Sequence, residues 1–207
     1  MKKIGYTAYL QLKKKIGKIY SIEGEYNYGR LEKLVKGWRG KIPFYSVVQG
    51  GGVHIIDLMH WITNSVSTEA ISIGNNLVTK ETDYKFNDNN IALLKFKNGV
   101  IGKVSSNFSC VMPHNHSLKI FGKRGTIEVR FDKILFFKSR KKNTSPIEIK
   151  YKRNKFYKKE VLKSYLKNLI KNKKTFNPSL QDIYSSISTC FAIDKSIESK
   201  RWEKIQQ

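Results

Sequence analysis

Two rhythms of hydrophobic and polar positions divide this chain. From Lys18 to Arg30, the run Ile19-Tyr20-Ser21-Ile22-Glu23-Gly24-Glu25-Tyr26-Asn27-Tyr28 is rich in β-branched and aromatic residues and predicts a strand. Residues 37–52 carry Gly37-Trp38-Arg39-Gly40, Pro43 and Gly50-Gly51-Gly52, the punctuation of a loop. The period then lengthens. Ile55, Leu58, Met59 and Ile62 recur at three and four residues and predict a short helix from Val53 to Thr63.

Beyond that helix the period falls to two. Strands are predicted from about Ala70 and over Ile91 to Phe96, and Asn98-Gly99 reads as a type I′ hairpin turn into the next strand. In that strand Val100, Gly102, Val104, Ser106 and Phe108 share one face, and Ile101, Lys103, Ser105 and Asn107 share the other. Leu118 to Phe121, a turn at Gly122 to Gly125, and Ile127 to Phe131 make a second hairpin, with further strands at Ile134 to Phe137 and Ile147 to Tyr151. Two helices close the chain, at about 156–172 and after Asn177-Pro178. The second places Leu180, Ile183, Tyr184, Ile187, Phe191 and Ile197 on its expected buried face. Consecutive hairpins with helices gathered at the ends predict an α+β domain: a large, mainly antiparallel sheet with helices packed on one face.

Length and composition keep that picture simple. The 207 residues are 40% hydrophobic, enough for a single domain with its own core. No apolar run is long enough to span a membrane, and the basic start Met1-Lys2-Lys3 is followed by no signal-peptide segment, so a cytoplasmic location is expected. Cys110 and Cys190 match no metal or redox spacing and are expected to be small buried hydrophobes.

The net charge of +24 raises the question of nucleic acid. Lys supplies 33 of the basic residues and Arg only 7, whereas bidentate recognition of phosphates and bases favours Arg. Lys, Ile and Asn are abundant together, the mark of a general compositional bias. Lys138 to Lys174 holds 15 Lys or Arg against Glu148 and Glu160, and Lys159, Lys163, Lys167 and Lys171 form a ridge opposite Val161, Leu162, Tyr165, Leu166, Leu169 and Ile170. That is an amphipathic helix with a solvated face. No membrane partner and no specific nucleic-acid partner are expected.

For chemistry, the absences are informative. No G-x-G-x-x-G follows a strand and no Walker A loop occurs, so no cofactor-binding residues are assigned. Gly50-Gly51-Gly52 implies a sharp turn or close approach to a ligand, and His54 and Asp57 follow at i and i+3, on one face of the helix. An imidazole there suits proton transfer and a carboxylate one turn on can orient it, which makes His54 and Asp57 the candidate catalytic pair. A structural histidine paired to an aspartate fits the same residues. Arg39 is a forked donor for a hydroxyl or carboxylate, or a plain loop arginine. Tyr28 and Arg30 end a strand beside that loop. His114 and His116 have an H-x-H spacing but no third ligand, so they are assigned to a substrate pocket and not to a metal. His60 is read as structural.

Glu25-Tyr26-Asn27-Tyr28-Gly29-Arg30, Gly37-Trp38-Arg39, Gly50-Gly51-Gly52-Val53-His54-Ile55-Ile56-Asp57 and Phe121-Gly122-Lys123-Arg124-Gly125-Thr126 occur in this order. Together they resemble the C-terminal domain of the Gfo/Idh/MocA oxidoreductases, from about Leu10 to Ile197. The resemblance implies a substrate-side sheet domain that in complete enzymes faces a Rossmann domain holding NAD(P), acts on a sugar or polyol, and associates through its sheet. It implies that His54 is the family's histidine. It also marks departures: no Glu-Lys-Pro occurs, and Gly50 stands where the family often has its aspartate, four residues before the histidine. The reading is therefore a truncated domain without its Rossmann half, inactive alone and binding no NAD(P) itself. A separate Rossmann chain or an interrupted gene would account for that. A non-catalytic sugar- or partner-binding module is the alternative, and a basic nucleic-acid-binding protein a further one.

Overall fold

The computed structural model of the chain describes residues 14–131, 133–150, 163, 166, 167, 170 and 179–206. The lysine-ridged helix expected at 156–172 lies largely outside the described residues. In chain order the elements are β1 (Ile19–Asn27), α1 (Leu31–Val35), a 3-10 turn (Trp38–Lys41), a π-helical turn (Val48–Gly52), α2 (Val53–Thr63), β2 (Ser67–Asn75), β3 (Asn89–Phe96), β4 (Ile101–Asn107), β5 (Asn115–Gly122), β6 (Gly125–Arg130), β7 (Lys133–Phe137), β8 (Ile147–Glu148), α3 (Leu180–Ser199) and β9 (Glu203–Lys204).

Among the described residues the strands form one nine-stranded sheet in the order β8-β7-β6-β5-β1-β4-β3-β2-β9. Seven of its neighbouring pairs are antiparallel, and β1 runs parallel to β4. This is the α+β class that the hairpin pattern predicts. Alternation decides the faces. Ile22 and Tyr26 of β1, Val104 and Ser106 of β4, Ala92 and Leu94 of β3, and Leu118 and Ile120 of β5 are buried together with Ile55, Ile56 and Met59 of α2. Each such aliphatic side chain contributes about 1.5–3 kcal/mol of burial. The opposite face, with Ile73, Ile91, Leu93 and Ile101, is exposed. Val100 and its period-two partners thus face the helices, as their grouping in the sequence requires. No helix among the described residues is long and apolar enough to cross a membrane.

Four expectations are corrected. Residues 37–52 are not a plain loop: the 3-10 turn and the π-helical turn lie within them, and the glycines begin the turn that runs into α2. The Asn98-Gly99 turn is not type I′. Only Gly99 has positive φ, at +82°, and its N–H donates to Phe96 O at 2.9 Å, so Lys97 and Asn98 make an ordinary turn followed by a left-handed glycine. Cys190 is buried as expected, whereas Cys110 is partly exposed.

The fourth concerns α3, whose buried face is the reverse of the one expected. Ser185, Ser186, Thr189, Cys190, Ala192, Ile193 and Ser196 are buried, while Leu180, Ile183, Tyr184, Ile187 and Phe191 are exposed. Small side chains let the helix lie close to β2. Their hydroxyls donate back into the helix, Ser186 to Asp182 O, Thr189 to Ser185 O and Ser196 to Ile193 O, at 2.7–2.9 Å, so burial leaves them hydrogen-bonded. Ser179 and Asp182 close a capping box at its start.

Candidate functional site

Strand register builds the site at one end of the sheet. Tyr26 of β1 stands opposite His116 of β5 on one side and Ser106 of β4 on the other. Its ring centre is 4.7 Å from that of His116, 5.3 Å from His114 and 5.5 Å from Phe108. Tyr28 continues the strand, its N–H donating to Asn107 O at 2.8 Å, and stacks on Phe108 at 4.6 Å. Both tyrosines are buried, so they form a floor.

The glycines lie on that floor. A Cβ at Gly51 would sit 2.4 Å from Tyr26 Cε1, and one at Gly52 would sit 2.3 Å from Ser106 Oγ. Gly50 meets Tyr45 instead: a Cβ there would be 2.0 Å from the Tyr45 hydroxyl. The close approach that three glycines imply is therefore to tyrosines and a serine of this chain. It seats the first turn of α2 on the sheet, and His54, exposed on that turn, comes within 6.0 Å of the Tyr26 ring.

Two arginines complete the rim. The Arg30 and Arg39 guanidinium carbons lie 5.5 and 5.6 Å from the Tyr28 ring centre. Arg39 Nε donates to the Tyr45 hydroxyl at 2.9 Å, and its guanidinium also covers the exposed Trp38 ring at 4.7 Å.

Burial dominates the electrostatics. It lowers the pKa of His116 to about 4, with His114 and His54 adding in the same direction. It also lowers that of His114, helped by Arg30 and His54 and opposed by a hydrogen bond to the Tyr28 backbone. Both rings are thus neutral at pH 7. His114 Nδ1 and His116 Nε2 are buried without a hydrogen-bond partner among the described residues. Burial raises the Tyr26 pKa against the pull of Arg39 and Arg30. The arrangement offers hydrogen-bond donors from two guanidiniums, neutral imidazoles and an exposed imidazole able to exchange protons.

Of the residues singled out in the sequence, Tyr28, Arg30, Arg39, His54, His114 and His116 are brought together. Asp57 lies one turn further along α2, where its charge acts on His60. His60 is buried, its Nε2 2.9 Å from Ser67 Oγ, which in turn lies 2.8 Å from Thr189 Oγ1, a link between α2, β2 and α3. Tyr26 and Tyr45 were not singled out. Period-two parity with Ile22 and Gly24 marks Tyr26 as inward-facing, but only the β1–β5 register brings it to the histidines. Nothing local signals that Tyr45 fills the space at Gly50.

The side-chain positions at Gly50, Gly51 and Gly52 are filled by Tyr45, Tyr26 and Ser106. No group of three or more His, Cys, Asp or Glu among the described residues is arranged to hold a metal ion.

A search among curated proteins returns no match. Solved structures share the fold. A protein from Desulfitobacterium hafniense named as an NADPH-dependent oxidoreductase superposes with a TM-score of 0.80 at 18% identity, over 96% of this chain and 60% of its own. Levoglucosan dehydrogenase in complex with NADH and levoglucosan gives 0.71 at 17%, over 97% and 62%. An NAD-binding oxidoreductase from Klebsiella pneumoniae gives 0.69 at 12%, over 97% and 63%. The chain thus spans about three fifths of the length of the structures it resembles. The profile of the GFO/IDH/MocA C-terminal domain matches residues 10–128. With that match across more than half its length, on the sheet and helix that build the site, the chain belongs to the GFO/IDH/MocA oxidoreductase family as a C-terminal domain.

Proposed function

We propose that this chain is the substrate-side domain of a dehydrogenase that interconverts a hydroxyl and a carbonyl on a sugar or polyol. It does so with a nicotinamide held by a separate nucleotide-binding domain, and it has no turnover alone. One observation carries the reading: His54, His114, His116, Arg30 and Arg39 converge on the Tyr26–Tyr28 floor at one end of the sheet.

The protein's own share of the chemistry follows from that geometry. Tyr26 and Tyr28 give a sugar ring an aromatic floor. Arg30 and Arg39 orient its oxygens. His114 and His116, neutral at pH 7, hydrogen-bond it without adding charge. His54 takes the proton from the reacting hydroxyl, because it is the exposed imidazole on the first turn of α2. The nicotinamide, when bound by its own domain, supplies the two-electron acceptor.

The departure at Gly50 supports a second reading, a module that binds a sugar without transforming it. A fusion of this chain to the nucleotide-binding half of a solved relative separates them. Screened against sugars and polyols with NAD and NADP, the fusion turns over under the dehydrogenase reading while the unfused chain gives none. Binding without turnover in the fusion supports the module.

A further inference from the structure

We infer that the substrate carries an anionic group, a carboxylate or a phosphate, seated between Arg30 and Arg39 at the Tyr28 ring. This deepens the site reading above and rests on it. Each guanidinium offers five N–H donors in a planar fork, and among the described residues Arg39 uses only its Nε, on Tyr45. Neither arginine has an ion-pair partner among the described residues, where glutamates pair instead with Lys36, Lys95, Lys119, Lys195 and Arg201.

The rest of the cluster matches. The charged groups that act on Tyr26, His114 and His116 from within the site are arginines, histidines and tyrosines, with no carboxylate among them. A neutral sugar presents hydroxyl protons that need acceptors, and sites for neutral sugars supply carboxylates or amides for them. This cluster supplies paired forks instead, whose natural complement is an acceptor-only oxyanion bound bidentately. The overall charge of +24 does not produce such a feature, since that charge is carried mainly by lysine.

The test uses the full chain at physiological ionic strength. Glucose, glucuronate and glucose 6-phosphate are titrated by calorimetry, and the imidazole signals of His54, His114 and His116 are followed by NMR. At least one of the two anions is expected to bind ten times or more tightly than glucose and to shift those three signals. Whichever binds more tightly distinguishes carboxylate from phosphate. Arg30→Gln, at an exposed position whose side chain makes no hydrogen bond among the described residues, is expected to weaken the anion roughly tenfold, and Arg39→Lys to weaken it while keeping the charge. Lys97→Gln, exposed in the β3–β4 turn at the opposite end of the sheet, leaves it unchanged. Glucose binding as tightly as both anions, with the same signals shifting, overturns the inference and leaves the site reading standing. Anion binding that is equally insensitive to Arg30→Gln and Lys97→Gln also overturns it. If no probe shifts the three imidazoles, both fail.

Discussion

Tyr45 occupies the space that a side chain at residue 50 would take, and that single contact shapes the site. The hydroxyl sits 2.0 Å from the ideal Cβ position of Gly50 and is held by Arg39. Replacing Gly50 by Asp therefore cannot simply restore an acid before His54. The tyrosine must leave first, and we expect Gly50→Asp to cost about 1–3 kcal/mol in urea unfolding, as overpacking does. Gly50→Asp combined with Tyr45→Ala recovers most of that loss, and an additive double variant would count against the overlap.

His60 sets a second residue-scale expectation. Burial lowers its pKa from 6.5 to about 4, against the opposing charges of Asp57 and Asp182. The unfolded chain therefore binds a proton at higher pH than the folded chain. Stability from this group is complete above pH 6.5 and is lost as pH falls toward 4. The loss is on the order of 2–3 kcal/mol for a ring this buried. His60→Gln should flatten that part of the pH–stability curve, and an unchanged slope between pH 6.5 and 4 would contradict the assignment. His54 and His60 have the same residue type on the same helix. Local sequence separates them through the glycines before one and the apolar spacing around the other.

At the scale of elements, α2 was legible and α3 was only half so. Ile55, Leu58, Met59 and Ile62 state the α2 register plainly, and Asn64 ends the helix in the left-handed conformation that favours asparagine. In α3 the large apolar residues are periodic too, but they point outward, because the sheet accepts the small face. Hydrophobicity alone favours the wrong side there. The signal that would have found the right one is Ser185, Ser186, Thr189, Cys190, Ala192 and Ser196, an equally periodic row of small residues. Ser196→Leu, at a fully buried position, should cost about 1–3 kcal/mol of overpacking. Phe191→Ser, at a side chain 55% exposed, should change stability by less than about 1 kcal/mol. The reverse order in thermal or urea unfolding would restore the large-residue face as the buried one. The parallel pairing of β1 with β4 and the short β9 beside β2 were not legible either. Both are long-range contacts, fixed by the packing of the whole sheet and not by any nearby residue.

Across the whole molecule, helices cover one face of the sheet and leave Ile73, Ile91, Leu93 and Ile101 exposed on the other. Those side chains alternate with Lys95, Lys103 and Glu69, so the face mixes apolar and charged positions. We propose that this face mediates self-association. Light scattering at tens of micromolar should find an oligomer, and Ile101→Lys with Leu93→Lys should shift it toward monomer. A wild-type chain that is monomeric throughout that range would contradict the proposal.

We propose that His54 handles the proton of a hydroxyl held on the Tyr26–Tyr28 floor, and kcat of the fused enzyme with His54→Ala beside His60→Ala tests this. Turnover should fall by about 10²–10⁴-fold for His54→Ala, the range for loss of a general base. It should change little for His60→Ala once stability is matched. Equal turnover with and without the His54 imidazole would contradict the account.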